Sequence, residues 1–181
     1  MTREKLSRAL PRPQYKDEKI VEFQQSGDIA RALRRAEFNS RAHSKKLAPF
    51  FKTTDDAKTC KRVWIWLREN IVYEREPKKR QTAKEINRFV YEGFGDCKHY
   101  ATFCVGVLNA CGIPAFFSLI SQKREFPNRP NHIYCVAIVD NEQLVIDGTK
   151  TKYNSESRYL KKWVFARKSK QRKNGSVLSK R

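Results

Sequence analysis

Cys97, His132 and Asp147 are the residues of this 181-residue chain whose types and settings could do chemistry together. Cys97 closes the run Gly93-Phe94-Gly95-Asp96-Cys97, in which Asp96 is a favoured N-cap residue. The apolar stretch after it ends at Gly112, with Pro114 two positions beyond. The pattern predicts a helix that begins at the cysteine and stops at Gly112, with Gly93 and Gly95 permitting a tight backbone approach before it. A thiol in a first helical turn feels the positive end of the helix dipole, and the unpaired N–H groups there can hold an oxyanion. Alone, a cysteine in apolar company is a small packed hydrophobe. A base within reach is what would make it a nucleophile.

The base and its orienter come from two β-prone runs, Asn131–Val139 and Gln143–Thr149, separated by Asp140-Asn141 and reading as a hairpin. A two-residue turn pairs Val139 with Glu142 and sets Tyr134 opposite Asp147, so that His132 is the diagonal neighbour of Asp147 on one face. Such neighbours lie about 7–8 Å apart at the backbone, close enough for an imidazole to reach a carboxylate. A four-residue turn keeps that parity; a three-residue loop slips the pairing by one and separates the two groups.

Competing assignments are weaker. His99 stands two positions after Cys97, about 200° around a helix, so it points away from the thiol, toward solvent or to cap a neighbour. His43 has no partner in sequence and reads as a surface histidine. Cys97, Cys104 and Cys111 recur every seven residues, but each step rises about 10.5 Å along a helix, too far for two thiolates to share a zinc ion. Cys60, Cys104, Cys111 and Cys135 read as packed core residues. No CxxC pair and no calcium-loop pattern is present, so neither metal nor cofactor is expected.

Gly95-Asp96-Cys97 with its helix ending at Gly112-Ile113-Pro114, then Asn131-His132, then Ile146-Asp147-Gly148-Thr149, resembles the core of the transglutaminase-like superfamily of papain-like thiol enzymes. Val63–Tyr73 resembles the helix that precedes the cysteine in that family. The resemblance covers roughly residues 53–150. It implies an α+β fold of the papain-like, transglutaminase-like kind: a cysteine-bearing helix packed on an antiparallel sheet, with helices N-terminal to it. It also implies a thiol hydrolase acting on amide or peptide bonds through Cys97, His132 and Asp147 and a thioester intermediate, with hydrolysis preferred to cross-linking. The Cys97 backbone N–H is the first oxyanion donor, and Gln81 is a candidate for the second.

Charge divides the chain. The net charge is +20, of which residues 1–50 carry +6, residues 51–149 +3 and residues 150–181 +11. Three segments follow: a basic N-terminal arm with helices (1–50), the core domain (51–150) and a basic C-terminal extension (151–181). The basic ends suit nucleic acid or another polyanion. The candidate contacts are Arg31, Arg34 and Arg35 on one helix face, then Lys161, Lys162, Arg167, Lys168, Lys170, Arg172 and Lys173; each is otherwise solvated surface. The alternative function is therefore a phage virion structural or packaging component with this fold, binding nucleic acid or a protein partner. Five cysteines and no apolar leader point to a reducing, cytoplasmic setting or a virion, and no run of 18 apolar residues suggests a membrane span.

Around the site, Pro11 and Pro13 make residues 1–14 an extended arm, and helices are expected over Tyr15–Gln25 and from Ile29. Pro49-Phe50-Phe51 is expected to break the pattern. Asp55 caps a helix with an apolar stripe of Cys60, Val63, Trp64, Leu67 and Ile71, leaving Trp66 off it. Thr82-Ala-Lys-Glu85 matches a capping box for a short helix, and 114–121 reads as a strand. Gln122–Pro130 is a loop delivering His132, either bordering the substrate cleft or simply solvated. The pairs at 159/160 and 163/164 fit a short helix before a solvated tail, Lys168–Arg181.

Overall fold

The computed structural model describes residues 1–14, 18–20, 26–77 and 81–165. In chain order the elements are α1 (Arg3–Arg8), β1 (Glu18–Ile20), α2 (Ser26–Asn39), α3 (Arg41–Phe51), α4 (Asp56–Asn70), β2 (Val72–Tyr73) and β3 (Gln81–Ala83). Then follow α5 (Ile86–Glu92), β4 (Phe94–Gly95), α6 (Cys97–Ala110), β5 (Ala115–Ser121), β6 (His132–Val139), β7 (Glu142–Ile146) and β8 (Lys161–Phe165). An antiparallel sheet in the order β7-β6-β5-β8 carries α6 on one face. The fold is α+β, as expected, with the cysteine at the first position of the helix that the sheet supports.

Helix α6 is apolar almost all round because it is enclosed: α2, α3, α4 and α5 touch it, as do β4, β5 and β6. Phe103, Cys104, Val107 and Leu108 are each 0% exposed. Burying side chains of the size of Phe103 and Leu108 is worth roughly 1.5–3 kcal/mol each. The helix ends where expected. Cys111 is its C-cap and Gly112 follows with φ of 85°, a left-handed conformation that glycine adopts without steric cost.

The hairpin has the register that the two-residue turn requires. Val139 pairs with Glu142 and Cys135 with Ile146, and Asp140 and Asn141 have φ of 52° and 64°. Positive φ at both central positions suits the right-handed twist of the flanking strands, and Asp and Asn tolerate it better than most residues.

Several expectations give way. Residues 1–14 are not an extended arm: α1 is capped by Thr2, and Leu6 and Leu10 enter the same apolar cluster as Phe89 and Phe103. Strand β1 runs antiparallel to β3 inside the segment expected to be a helix over Tyr15–Gln25; the rest of that segment lies outside the described residues. Helix α3 continues through Pro49 to Phe51, where Lys52 caps it. Glu85 is the N-cap of α5 but makes no side-chain cap, because Thr82 lies in β3 and its hydroxyl donates to Glu76. The Ser40 hydroxyl accepts the Ile86 N–H instead, at 2.9 Å. The expected C-terminal helix is strand β8, paired with β5 from Phe117↔Phe165 to Ser121↔Lys161. Its half-buried aromatic side chains, Trp163 and Phe165, pack against the core at period two, and that alternation overrides the helical spacing of the neighbouring pairs. Trp66, expected off the stripe, is buried and stacks on Phe103 with ring centroids 5.0 Å apart, whereas Trp64 lies at the edge of the core.

Candidate active site

Asp96 fixes the start of α6. Its carboxylate accepts the Lys98 N–H, and the His99 ring returns the favour by accepting the Asp96 N–H at 3.1 Å, which closes a capping box. Gly95 permits this closure, since a Cβ there would lie 2.8 Å from His99 Nδ1. Cys97 is the first helical residue, so its own N–H has no intrahelical acceptor. It is half-buried, whereas Cys60, Cys104, Cys111 and Cys135 are buried free thiols. Burial pushes Cys60 up to about 12 and Cys111 to about 11, and holds Cys104 and Cys135 well above the usual thiol range. Those four are the packed hydrophobes that their surroundings suggested.

His132 opens β6, and its Nε2 lies 2.7 Å from Asp147 Oδ2. The hairpin register brings this about, since Asp147 directly follows β7. The other oxygen of Asp147 accepts from the Thr149 N–H at 3.1 Å and its hydroxyl at 2.7 Å. Both carboxylate oxygens are thereby engaged, and the side chain is 4% exposed. Trp64 Nε1 donates to the Asp147 carbonyl at 3.0 Å, a contact from α4 that holds the end of the hairpin. Gly148 is needed for the same docking: a Cβ there would meet Tyr100 Cδ1 at 2.6 Å.

With Nε2 bound to Asp147, the His132 ring also feels the nearby Cys97 thiol. Burial works to lower the imidazole pKa. The hydrogen bonds to Asp147 and Cys97, and the charges of both, outweigh it and raise the pKa to about 10. Asp147 is moved the opposite way: burial works to raise it, but its bonds to His132 and Thr149 hold it below the usual carboxylate range. The arrangement keeps a proton on His132 between an anionic orienter and the thiol.

His99 does not compete for that role. It is buried, and its Nε2 lies 3.0 Å from the Thr82 carbonyl while Nδ1 faces the Asp96 N–H. Desolvation first, against the pull of Asp96, lowers it to about 4. His43 is half-buried on α3, and burial lowers its pKa. Lys98, next to the thiol in sequence, is 3% exposed, ion-paired with Asp96, 3.3 Å from Glu76 and donating to Gln81 Oε1 at 2.9 Å. Gln81 Nε2 donates to the Glu76 and Pro77 carbonyls at 2.9 and 3.1 Å, so the amide proposed as second oxyanion donor spends its hydrogens on backbone. Sequence reading missed Lys98, Trp64 and Tyr73, which lines the cleft beside Cys97. Trp64 alone carried a signal, as a core position bearing a polar tip.

The cleft over Cys97 has a volume of about 590 Å³ and is walled by the segment around Tyr73 and Arg75 and by the loop from Lys123 to Asn131. The loop does border the thiol. Asn131 ties its ends by accepting the Gln122 N–H at 2.7 Å and donating to Gln122 Oε1 at 3.0 Å.

The polyanion candidates are scattered. Arg31, Arg34 and Arg35 are exposed on α2, with Arg31 paired to Asp28 and Arg34 over the Phe165 ring at 5.7 Å. Lys161 donates to Asn128 at 2.9 Å and Lys162 pairs with Glu156. Arg167, Lys168, Lys170, Arg172 and Lys173 lie outside the described residues. Among the described residues there is no group of three or more metal-ligating side chains, and no helix long and apolar enough to cross a membrane.

Two solved structures share the fold. A candidate protease from Parabacteroides distasonis ATCC 8503 superposes with a TM-score of 0.58 at 15% identity over 72% of this chain and 27% of its own. A candidate cysteine protease from Cytophaga hutchinsonii gives 0.50 at 19% identity over 70% of this chain and 44% of its own. The chain thus spans less than half the length of either. Comparison with curated protein sequences gives no match. A sequence profile of the transglutaminase-like superfamily matches residues 45–143, a stretch that contains Cys97 and His132 and stops four residues short of Asp147. That match takes in more than half of the chain, which therefore belongs to the transglutaminase-like superfamily.

Proposed function

We propose that the protein is a thiol hydrolase of amide or peptide bonds that works through Cys97, His132 and Asp147. The observation that carries this reading is the 2.7 Å bond from His132 Nε2 to a buried, fully engaged Asp147 carboxylate, on a ring that the Cys97 thiol also influences. Asp147 orients the ring and stabilises its protonated form. The Cys97 sulfur, its proton held by His132, attacks the amide carbonyl, and the new oxyanion meets the Cys97 N–H at the helix start. His132 then passes its proton to the departing amine as the C–N bond breaks, leaving a thioester. A water molecule, deprotonated by His132, attacks that thioester, and Cys97 leaves as the thiolate while the acid product departs.

Labelling with a thiol-directed electrophile at neutral pH, followed by peptide mass mapping, tests the reading. Modification should concentrate on Cys97 and fall sharply in His132→Ala. Equal, slow modification of Cys97 in both proteins would sink it.

The packaging alternative has less behind it. Its described cations already have partners within the fold at Arg31, Lys161 and Lys162, and half of its candidate contacts lie outside the described residues.

A further inference from the structure

The charge of the cleft is unbalanced. Arg75, following β2, and Lys123 and Arg129, on the loop between β5 and β6, line the space over Cys97. Arg75, Lys123 and Arg129 are exposed, and among the described residues none of them is ion-paired. The lining contains one carboxylate, Asp96, and it is unavailable: 4% exposed, it is bound to Lys98 and to the first turn of α6. Lys98 is neutralised in the same exchange. Of the charged groups that line the cleft, those still facing solvent are cationic, and they come from two separate segments of the chain. The surrounding core segment, residues 51–149, has a net charge of only +3, so the excess at this rim is not a sample of its general surface.

We infer that the substrate is an acidic peptide, with Asp or Glu side chains next to the amide that reaches Cys97. This rests on the thiol-hydrolase reading above, and it names the substrate class of that same site. The chemistry of the walls suits a peptide. Tyr73 and Phe126 offer half-exposed rings, and the Arg129 guanidinium lies 5.5 Å from the Phe126 ring, which keeps it over the loop. Asn131, its side chain bound to Gln122, sits at the His132 end of the cleft. A nucleic-acid strand would satisfy the cations but has no backbone amide to present to the thiol. A carboxylate-bearing peptide satisfies both. Exposed ion pairs are screened, so each contact is worth up to about fivefold in rate or affinity, and two or three together predict roughly a tenfold preference at low salt.

Two measurements test this on the full chain. In the first, peptidyl electrophiles with Glu beside the reactive carbonyl are compared with their Gln isosteres as labels of Cys97, at low salt and at about 0.5 M salt, where screening is strong. The Glu probe should react about tenfold faster at low salt, with the preference shrinking at high salt and in the Arg75→Gln, Arg129→Gln double variant. The Lys45→Gln, Lys46→Gln double variant, a change of equal charge on α3 away from the cleft, should leave the preference intact. In the second, binding of unreactive Glu and Gln peptides to Cys97→Ala is followed by fluorescence anisotropy. Fast but equal labelling by both probes overturns the acidic-peptide inference and leaves the nucleophile standing. Selective binding of the Glu peptide without labelling upholds the inference and sinks the nucleophile. An oligonucleotide that shields Cys97 while the peptides bind alike would assign the rim to nucleic acid and overturn it.

Discussion

His99, buried in the first turn of α6, and His132, half-buried at the start of β6, are tuned in opposite directions, to about 4 and to about 10. Burial is the largest single influence on each and favours the neutral ring in both. The difference lies in what the ring nitrogens bond to: the Asp96 and Glu76 carboxylates lie 3.2 and 3.8 Å from the His99 ring, but Lys98 and Lys84 offset their pull. At the helix start, His99 accepts one backbone N–H and faces one backbone carbonyl, a pair of partners that the neutral Nε2–H tautomer satisfies completely. At the end of the hairpin, His132 meets a carboxylate whose other oxygen is already held by Thr149, and it gains a full charge interaction by staying protonated. The first histidine is built to hold a backbone in place, the second to hold a proton.

The sharpest test of that contrast is to remove each group. Cys97→Ala should abolish labelling at the site outright, and His132→Ala should slow it by about 10²–10⁴-fold, the range for loss of an acid–base group. Asp147→Asn should come next, near about 10²-fold, because it removes the charge that keeps His132 protonated. A pH titration of His132 should show its pKa falling from about 10 in that variant. Such a pKa left unmoved would break the comparison at its root.

His99→Ala should act on stability instead. It deletes a helix cap and leaves the Thr82 carbonyl and the Asp96 N–H without their partner, a loss of about 2–3 kcal/mol in denaturant melts. If His99→Ala slowed thiol labelling as much as His132→Ala while leaving stability alone, the roles assigned to the two rings would have to be exchanged.

The two histidines should also give opposite pH dependences. The folded pKa of His132 is above its ordinary 6.5, so the stability it contributes is full below about 6.5 and is lost as pH rises through about 10. The folded pKa of His99 is below 6.5, so the unfolded chain binds the extra proton and stability falls as pH drops from 6.5 toward about 4. Melting temperatures of His132→Gln and His99→Gln, each subtracted from the parent across pH 4–10, check both signs. The smallest effect is expected at Trp64→Phe, which removes one neutral hydrogen bond to the Asp147 carbonyl, about 1 kcal/mol, and should loosen Asp147 without displacing it.

Much of this site was legible in the sequence because short-range rules govern it. Asp96 announces the helix, Gly112 its end, and Asp140-Asn141 a turn whose two residues set the parity of everything beyond. The illegible parts depend on long-range partners. Thr82 matched a cap but was drawn into β3 by pairing with β1. Trp66 and Trp64 exchanged their expected settings because Phe51 and Phe103 close around one, while Asp147 claims the other. Asp96 alone does not tell that Lys98 is buried, since Glu76 and Gln81 reach its ammonium only when the segment at β3 folds over the helix start. Strand β8 was misread because its period-two alternation spans only five residues and competes with helical spacing next to it.

The site draws its sulfur from a helix and its imidazole and carboxylate from a hairpin that begins 35 residues later, and Gly148 lets that hairpin close against Tyr100 and Leu67. The chemistry proposed for it therefore has a birth time. While the chain is still being assembled, or after the sheet has come away from α6, Cys97 is an ordinary thiol without a base. Reactivity is expected to switch on with the last docking step and off with the first undocking step. Rapid-mixing refolding in the presence of a chromogenic thiol reagent should show Cys97 quickening only with the slowest folding phase. A thiol that quickened as soon as α6 formed would locate the activation in the helix alone.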